Sequence, residues 1–172
     1  MKHNWKNVLL VVLLILMLAG CSGSKVSVKV KSAEIVETLE AYLNMLYYPV
    51  DSEATLAGTE TGGFAIAFSD YDIIRIVLDA KFTNFSGPKE SDSDKQKQAV
   101  LEMLISSATF SIGEKTEKVI YALQPKTTST SASDATLFYL IPKGTPLADL
   151  KLTFDGAELG DPSYSLTFTD FK

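Results

Sequence analysis

The sequence predicts a mainly β domain: an antiparallel sandwich of seven to eight strands with one or two short helices. Three observations carry that prediction. Residues 25–31 alternate, with Val26, Val28 and Val30 on one face and Ser27, Lys29 and Lys31 on the other, the period of a half-buried strand. Residues 71–85 hold five in-phase apolar positions, Ile74, Ile76, Leu78, Ala80 and Phe82, opposite Arg75, Asp79, Lys81 and Thr83. A strand of that pattern walls one side of a core. The remaining apolar segments are short and separated by turn chemistry, which favours an antiparallel sandwich over a parallel sheet.

Ahead of the first strand, Lys2 and Lys6 flank the start of an unbroken apolar run of 12 residues, 8–19. A membrane-crossing helix needs about 20 apolar residues, so this run has the length of a secretion-signal core. Leu18-Ala19-Gly20-Cys21 resembles the bacterial lipobox, in which the Cys becomes the acylated first residue of the mature chain. The expected organisation is a lipoprotein signal peptide over 1–20, a lipidated tether over 21–24 with Cys21 as the lipidation site, and one domain over 25–172. A free Cys beside an ordinary cleavage site, or an uncleaved anchor, is the alternative.

The 152 residues from Cys21 onward suit one domain with a substantial core. Of the 16 basic residues, Lys2 and Lys6 leave with the signal, so 14 face 21 acidic ones and the balance is −7. Such a surface repels phosphate backbones, and nucleic acid is not an expected partner. Membrane contact is expected through acyl chains on Cys21, two or more for stable anchoring, at an extracytoplasmic surface. With its one Cys acylated, the chain has no intramolecular disulfide.

In chain order, Ile35, Leu39, Tyr42, Leu43 and Leu46 recur at helical spacing. They predict a short helix before Pro49, although Ile35-Val36 also fit an extension of the first strand. Residues 51–63 read as a polar loop. Phe64–Phe68 reads as a strand that turns at Ser69-Asp70 to pair with 71–85, and 84–88 ends that long strand in a turn. Ser93 with Gln96 matches a capping box, and Val100, Met103 and Leu104 add a narrow apolar stripe. Together they predict a helix of about three turns over an edge or end of the sheet. Further strands are expected at 108–112, 117–123, 135–141, 150–154 and 164–168. Between them fall an exposed low-complexity loop at 126–133, a rigid turn at 142–146 and a connection at 155–162.

Several of these segments together resemble a known group. They are the lipobox, the alternating Lys/Val strand, the stretch Lys81-Phe82-Thr83-Asn84-Phe85-Ser86-Gly87-Pro88, then Leu137-Phe138-Tyr139-Leu140-Ile141-Pro142-Lys143-Gly144 and Leu150-Lys151-Leu152-Thr153-Phe154. The pattern is similar to the immunoglobulin-like domain of Gram-positive lipoproteins of unknown function, such as the immunoprotective extracellular antigen family of mycobacteria. The resemblance runs over residues 25–170 and implies an immunoglobulin-like β-sandwich on the cell envelope. It brings no catalytic residues. The helical-looking stretches 39–46 and 98–105 depart from the family pattern.

Chemistry is narrowed mainly by what the chain lacks. The only His is His3, so beyond the signal no imzidazole-based triad and no His/Cys zinc site can form within the chain. Ser22-Gly23-Ser24-Lys25 and Ser86-Gly87-Pro88-Lys89 fit S-x-x-K, but the partner motifs of penicillin-interacting enzymes are missing. Gly113-Glu114-Lys115-Thr116 lacks the geometry of a phosphate loop, because Glu114 splits the Gly-Lys pair; it reads as a hairpin turn. Asp70 with Asp72, Asp92 with Asp94, and Asp155, Glu158 and Asp161 are candidate oxygen ligands for calcium or carboxylates for catalysis. Solvated turn carboxylates are the favoured reading.

Tyr121 and Tyr139 are expected in the core. The adjacent Tyr47 and Tyr48 cannot both face inward in regular structure, which makes them the candidate partner contact. The expected function is that of a non-catalytic, lipid-anchored binding or adaptor module for an envelope protein, peptide or glycan, with no cofactor and no metal. Contact regions are expected at 47–63, 126–133 and 142–146. A carboxylate- or calcium-dependent envelope enzyme, or a calcium-binding module, is the alternative.

Overall fold

The computed structural model describes residues 25–41, 54–60, 62–83, 93–156 and 164–167. The expected signal peptide over 1–20, Cys21, Tyr47, Tyr48, residues 42–46 of the expected helix and the turn at 84–88 lie outside the described residues. What is described is mainly β, with antiparallel sheets packed face to face and one α-helix.

Strand β1 (Lys25–Val36) pairs with β5 (Tyr71–Thr83), which pairs in turn with β10 (Ser131–Pro142); β8 (Tyr121–Leu123) and the short β9 (Lys126–Thr127) flank β10. The pleat sends alternate residues to opposite faces, and the register aligns apolar rows across strands. On one face Val28 lies beside Ala80, Leu78 between Val30 and Ala135, and Ile76 beside Leu137. That face meets helix α1 (Ser93–Ser107) through Val100, Leu101 and Leu104. It also meets a second sheet, ordered β12 (Tyr164–Thr167), β11 (Leu150–Phe154), β6 (Ala108–Ile112) and β7 (Lys115–Glu117), through Phe110, Leu152 and Phe154. This is the expected sandwich.

The opposite face of the central sheet is also covered. Ile73, Tyr121, Phe138 and Leu140 meet Leu39, Ala41, Ile66 and Phe68 from a small sheet of β2 (Leu39–Ala41), β4 (Phe64–Phe68) and β3 (Ala54–Gly58). Strand β5 therefore has apolar residues on both faces along its middle, with Ile73, Ile74, Ile76 and Leu78 each at most 1% exposed. A strand covered on both faces loses its clean alternation.

Several sequence expectations need correction. Residues 35–41 are not helical: Ile35 and Val36 complete β1, and Leu39–Ala41 forms β2. A bulge at Lys31, between Val30 and Ser32, shifts the pleat of β1 by one residue. Ile35 and Leu39, whose four-residue interval suggested one helix face, belong to two different strands, and Ile35 is exposed while Leu39 is buried. The 51–63 loop contains strand β3, whose five residues are all exposed, so no apolar pattern marked it. Phe64–Phe68 is a strand, but its partners are β2 and β3 rather than β5. Both faces of the central sheet need cover, and the turn at Ser69-Asp70 carries the chain from one layer to the next.

Residues 117–123 do not form one strand. Glu117 ends β7 in the second sheet, Tyr121 opens β8 in the central sheet, and 118–120 cross between them, with the Ile120 amide donating to the Phe138 carbonyl at 2.9 Å. The 126–133 stretch is a tight hairpin rather than a loose loop. Thr128 Oγ1 accepts from the amides of Thr130 and Ser131, the Phe82 amide donates to the Thr130 carbonyl at 2.8 Å, and Ala132 is buried. Short strands split in this way account for twelve described strands where seven to eight were expected.

Helix α1 runs 15 residues, about four turns, and passes into β6 with no intervening loop. The Asp155 amide donates to the Ser107 carbonyl at 2.7 Å at its end. The buried side-chain amide of Gln96 donates to the Thr128 carbonyl at 3.3 Å, tying the helix to the hairpin. The turns at 113–114 and 142–146 form as expected, with Gly113 and Gly144 in the left-handed region at φ +57° and +79°.

Candidate functional site

The expected contact regions at 126–133 and 142–146 do not share one surface. The hairpin at 126–131 lies at the start of β10 and the turn at 142–146 at its end. Eleven residue steps at about 3.3 Å set these regions roughly 35 Å apart. The turn at 142–146 belongs instead with the start of β3. Ala54 pairs with Phe68, and the next residues, Ser69 and Asp70, are held by Lys143: its ammonium donates to the Ser69 carbonyl at 2.7 Å and its amide to the Asp70 carbonyl at 3.0 Å.

Near the hairpin, two bulges put charges together. The slip in β1 presents Lys31, and the slip in β10 between Ala132 and Ala135 presents Asp134, whose φ is +61°. The Asp134 amide donates to Asp79 Oδ1 at 3.1 Å, and its carboxylate accepts from Lys31 Nζ at 2.6 Å and Lys126 Nζ at 3.4 Å. The hydrogen bond from Lys31 holds the Asp134 carboxyl below the usual carboxylate range, and Asp134 raises the Lys31 ammonium in return. Both groups are open to solvent, so salt screens the pair and it adds little to stability. Among the described residues, no group of three or more His, Cys, Asp or Glu stands close enough to hold a metal ion.

A different kind of site forms where the chain crosses between sheets. The last turn of α1 supplies Ile105, β6 opens with Ala108 and Thr109, β7 ends with Thr116 and Glu117, and Lys118 and Val119 make the crossing. Tyr139 of β10 completes the lining of a recess of about 220 Å³. The Tyr139 ring rests on Phe110, with centroids 4.4 Å apart and planes inclined by 31°. The residue is 1% exposed, yet its hydroxyl has no hydrogen-bond partner in the structure. Burial pushes the phenol pKa well above its usual value, so the hydroxyl keeps its proton. At the rim, Glu117 accepts from Lys115 Nζ at 2.6 Å.

Tyr121 and Tyr139 are both buried, as expected from their strands, and Tyr121 packs against Phe138 with centroids 5.8 Å apart. The recess was hidden in the sequence because 117–123 read as one strand. The available signal was Tyr139 in phase with Leu137 and Ile141, since a buried Tyr in an apolar row carries a hydroxyl that needs a partner. No protein-family model matches this chain, and no curated protein or solved structure does.

Proposed function

We propose that this chain is a cell-surface lipoprotein, held to the membrane by acyl groups on Cys21, whose β-domain serves as a non-catalytic binding or adaptor module for an envelope protein, peptide or glycan. The observation that carries this reading is the apolar run 8–19 closing on Leu18-Ala19-Gly20-Cys21 behind two lysines. The architecture supports it. A central sheet packed on both faces is a stiff frame, and recognition elements are commonly carried on such frames. Strand β3 is exposed along its length and, among the described residues, pairs only with β4. Its outer edge suits the addition of an extended peptide strand.

Two experiments test the proposal. Mass spectrometry of the chain from bacterial membranes should find an acylated Cys21, and Cys21→Ala should move the protein into the soluble fraction; an unmodified thiol would refute the anchor. Cross-linking in the native envelope should recover a partner, with Tyr47→Ala and Tyr48→Ala reducing the yield. Equal recovery with both variants would remove those tyrosines from the contact.

A further inference from the structure

We infer that the outer face of the central sheet, at the end where β1 begins, docks on a bilayer carrying anionic lipid headgroups. The inference rests on the reading of Cys21 as a membrane anchor and goes beyond it by giving the orientation in which the anchored domain lies.

The pleat builds the surface. Strand β1 opens Lys25-Val26-Ser27-Val28-Lys29-Val30-Lys31, with the valines buried and the polar residues exposed. The valines sit in the core shared with α1 and the second sheet, so the polar row occupies the opposite face of the central sheet. Register extends that row sideways. Lys81 of β5 lies between Ser27 of β1 and Ser131 of β10, Asp79 lies beside Lys29, and Lys126 of β9 pairs with Ser133. Lys31 and Asp134 join through the two bulges, since Asp134 is bonded at once to Asp79, Lys31 and Lys126. The small sheet of β2, β3 and β4 covers this face toward its other end, at Ile73, Tyr121, Phe138 and Leu140.

Charge sets the partner. The exposed Lys25, Lys29, Lys31, Lys81 and Lys126 stand with Asp79 and Asp134, a net +3 among the described residues of the patch. Residues 21–172 balance to −7, so everything outside the patch holds −10. A bilayer of anionic headgroups attracts this face and repels the remaining surface. Position brings the two together. Four residue steps separate Cys21 from Lys25, a reach of at most about 14 Å, so an anchored chain starts β1 close to the headgroups. Lys29 lies about 13 Å further along the strand. The attraction fades within a Debye length, about 8 Å at physiological salt. Laying the central sheet along the bilayer brings the whole row within that range, which an upright domain does not.

The test footprints the lysines of the full-length chain, purified from bacterial membranes into lipid nanodiscs. One set of discs is phosphatidylcholine alone; the other is equal parts phosphatidylcholine and phosphatidylglycerol, and neither lipid carries a reactive amine. After treatment with an amine-acetylating reagent, mass spectrometry reads each lysine of the disc-bound chain and, in the same digest, the acyl state of Cys21. Lys25, Lys29 and Lys81 should react about fivefold or more slowly in the anionic discs than in the neutral ones. Lys115, Lys118 and Lys151, in and beside the second sheet, should react alike in both. Salt at 1 M should remove the difference. Lys29→Gln with Lys81→Gln should return Lys25 and Lys126 toward their rates in neutral discs. Lys115→Gln with Lys151→Gln removes the same charge from the other side of the sandwich and should leave the protection in place.

Equal rates at the patch lysines in the two discs would overturn the inference. So would equal protection of every lysine, which marks a diffuse surface effect rather than a docked face. The lipid and salt comparisons use the native chain and decide the matter even if a variant does not fold. The two readings fail separately. An unmodified Cys21 with the patch still protected removes the acyl anchor alone, and an acylated Cys21 with an unprotected patch removes the docking alone.

Discussion

Replacing Tyr139 by Phe should stabilise this protein, the reverse of the usual result for a buried tyrosine. The substitution keeps the ring on Phe110 and removes one oxygen. Where that oxygen is hydrogen-bonded, its loss costs about 1 kcal/mol; where it is buried and unpaired, its loss recovers a desolvation penalty of about 1–3 kcal/mol. Tyr139 is 1% exposed and its hydroxyl has no partner, which places it in the second class. A gain of about 1 kcal/mol in a domain this size raises Tm by about 2–4 °C.

The pH dependence supplies an independent check. Burial raises the folded-state pKa above the unfolded value of 10.0. The folded state therefore holds a proton that the unfolded chain releases, so the stability is fully present below pH 10 and is lost as pH rises beyond it. The slope approaches about 1.4 kcal/mol per pH unit. Phe cannot titrate, so the advantage of the variant should widen by about 1.4 kcal/mol between pH 7 and pH 11. Urea unfolding of the full chain in non-ionic detergent, followed by far-ultraviolet circular dichroism at both pH values, measures the gap. A variant less stable than the parent at pH 7, or a gap that stays constant to pH 11, would refute the reasoning.

Other outcomes follow from the packing. Leu78→Ala, at a fully buried position between Val30 and Ala135, should cost about 3 kcal/mol in urea unfolding. At Asp134, with φ at +61°, Gly should prove more stable than Ala by about 1 kcal/mol. That difference should persist in 1 M salt, since it arises from the backbone rather than from the exposed ion pairs. Gln96→Ala should cost about 1 kcal/mol and speed amide exchange in the 126–131 hairpin, because the Gln96 amide holds the Thr128 carbonyl.

How much was legible in the residues depended on how strictly each segment obeyed one period. The rows Val26-Val28-Val30 and Ile74-Ile76-Leu78-Ala80-Phe82 are uninterrupted, and both strands fall where the alternation set them. The Lys31 bulge shifts that alternation by one residue, and Ile35 and Leu39, which read as one helix face, fall in two separate strands. Strand β3 carried no pattern because all five of its residues meet solvent. The recess was invisible for a related reason: Glu117 to Leu123 is apolar enough for one strand, and only the pairing partners show that it serves two sheets.

Taken alone, the residues determined the β class, the apolar run 8–19 ahead of Cys21, and the want of imidazole beyond His3, because hydropathy period and composition are local properties. Tertiary structure decided which strands pair, that the central sheet is covered on both faces, and that a tyrosine hydroxyl sits dry beside a recess. Each of those depends on residues far apart in the chain meeting in space, and no window along the sequence contains both partners.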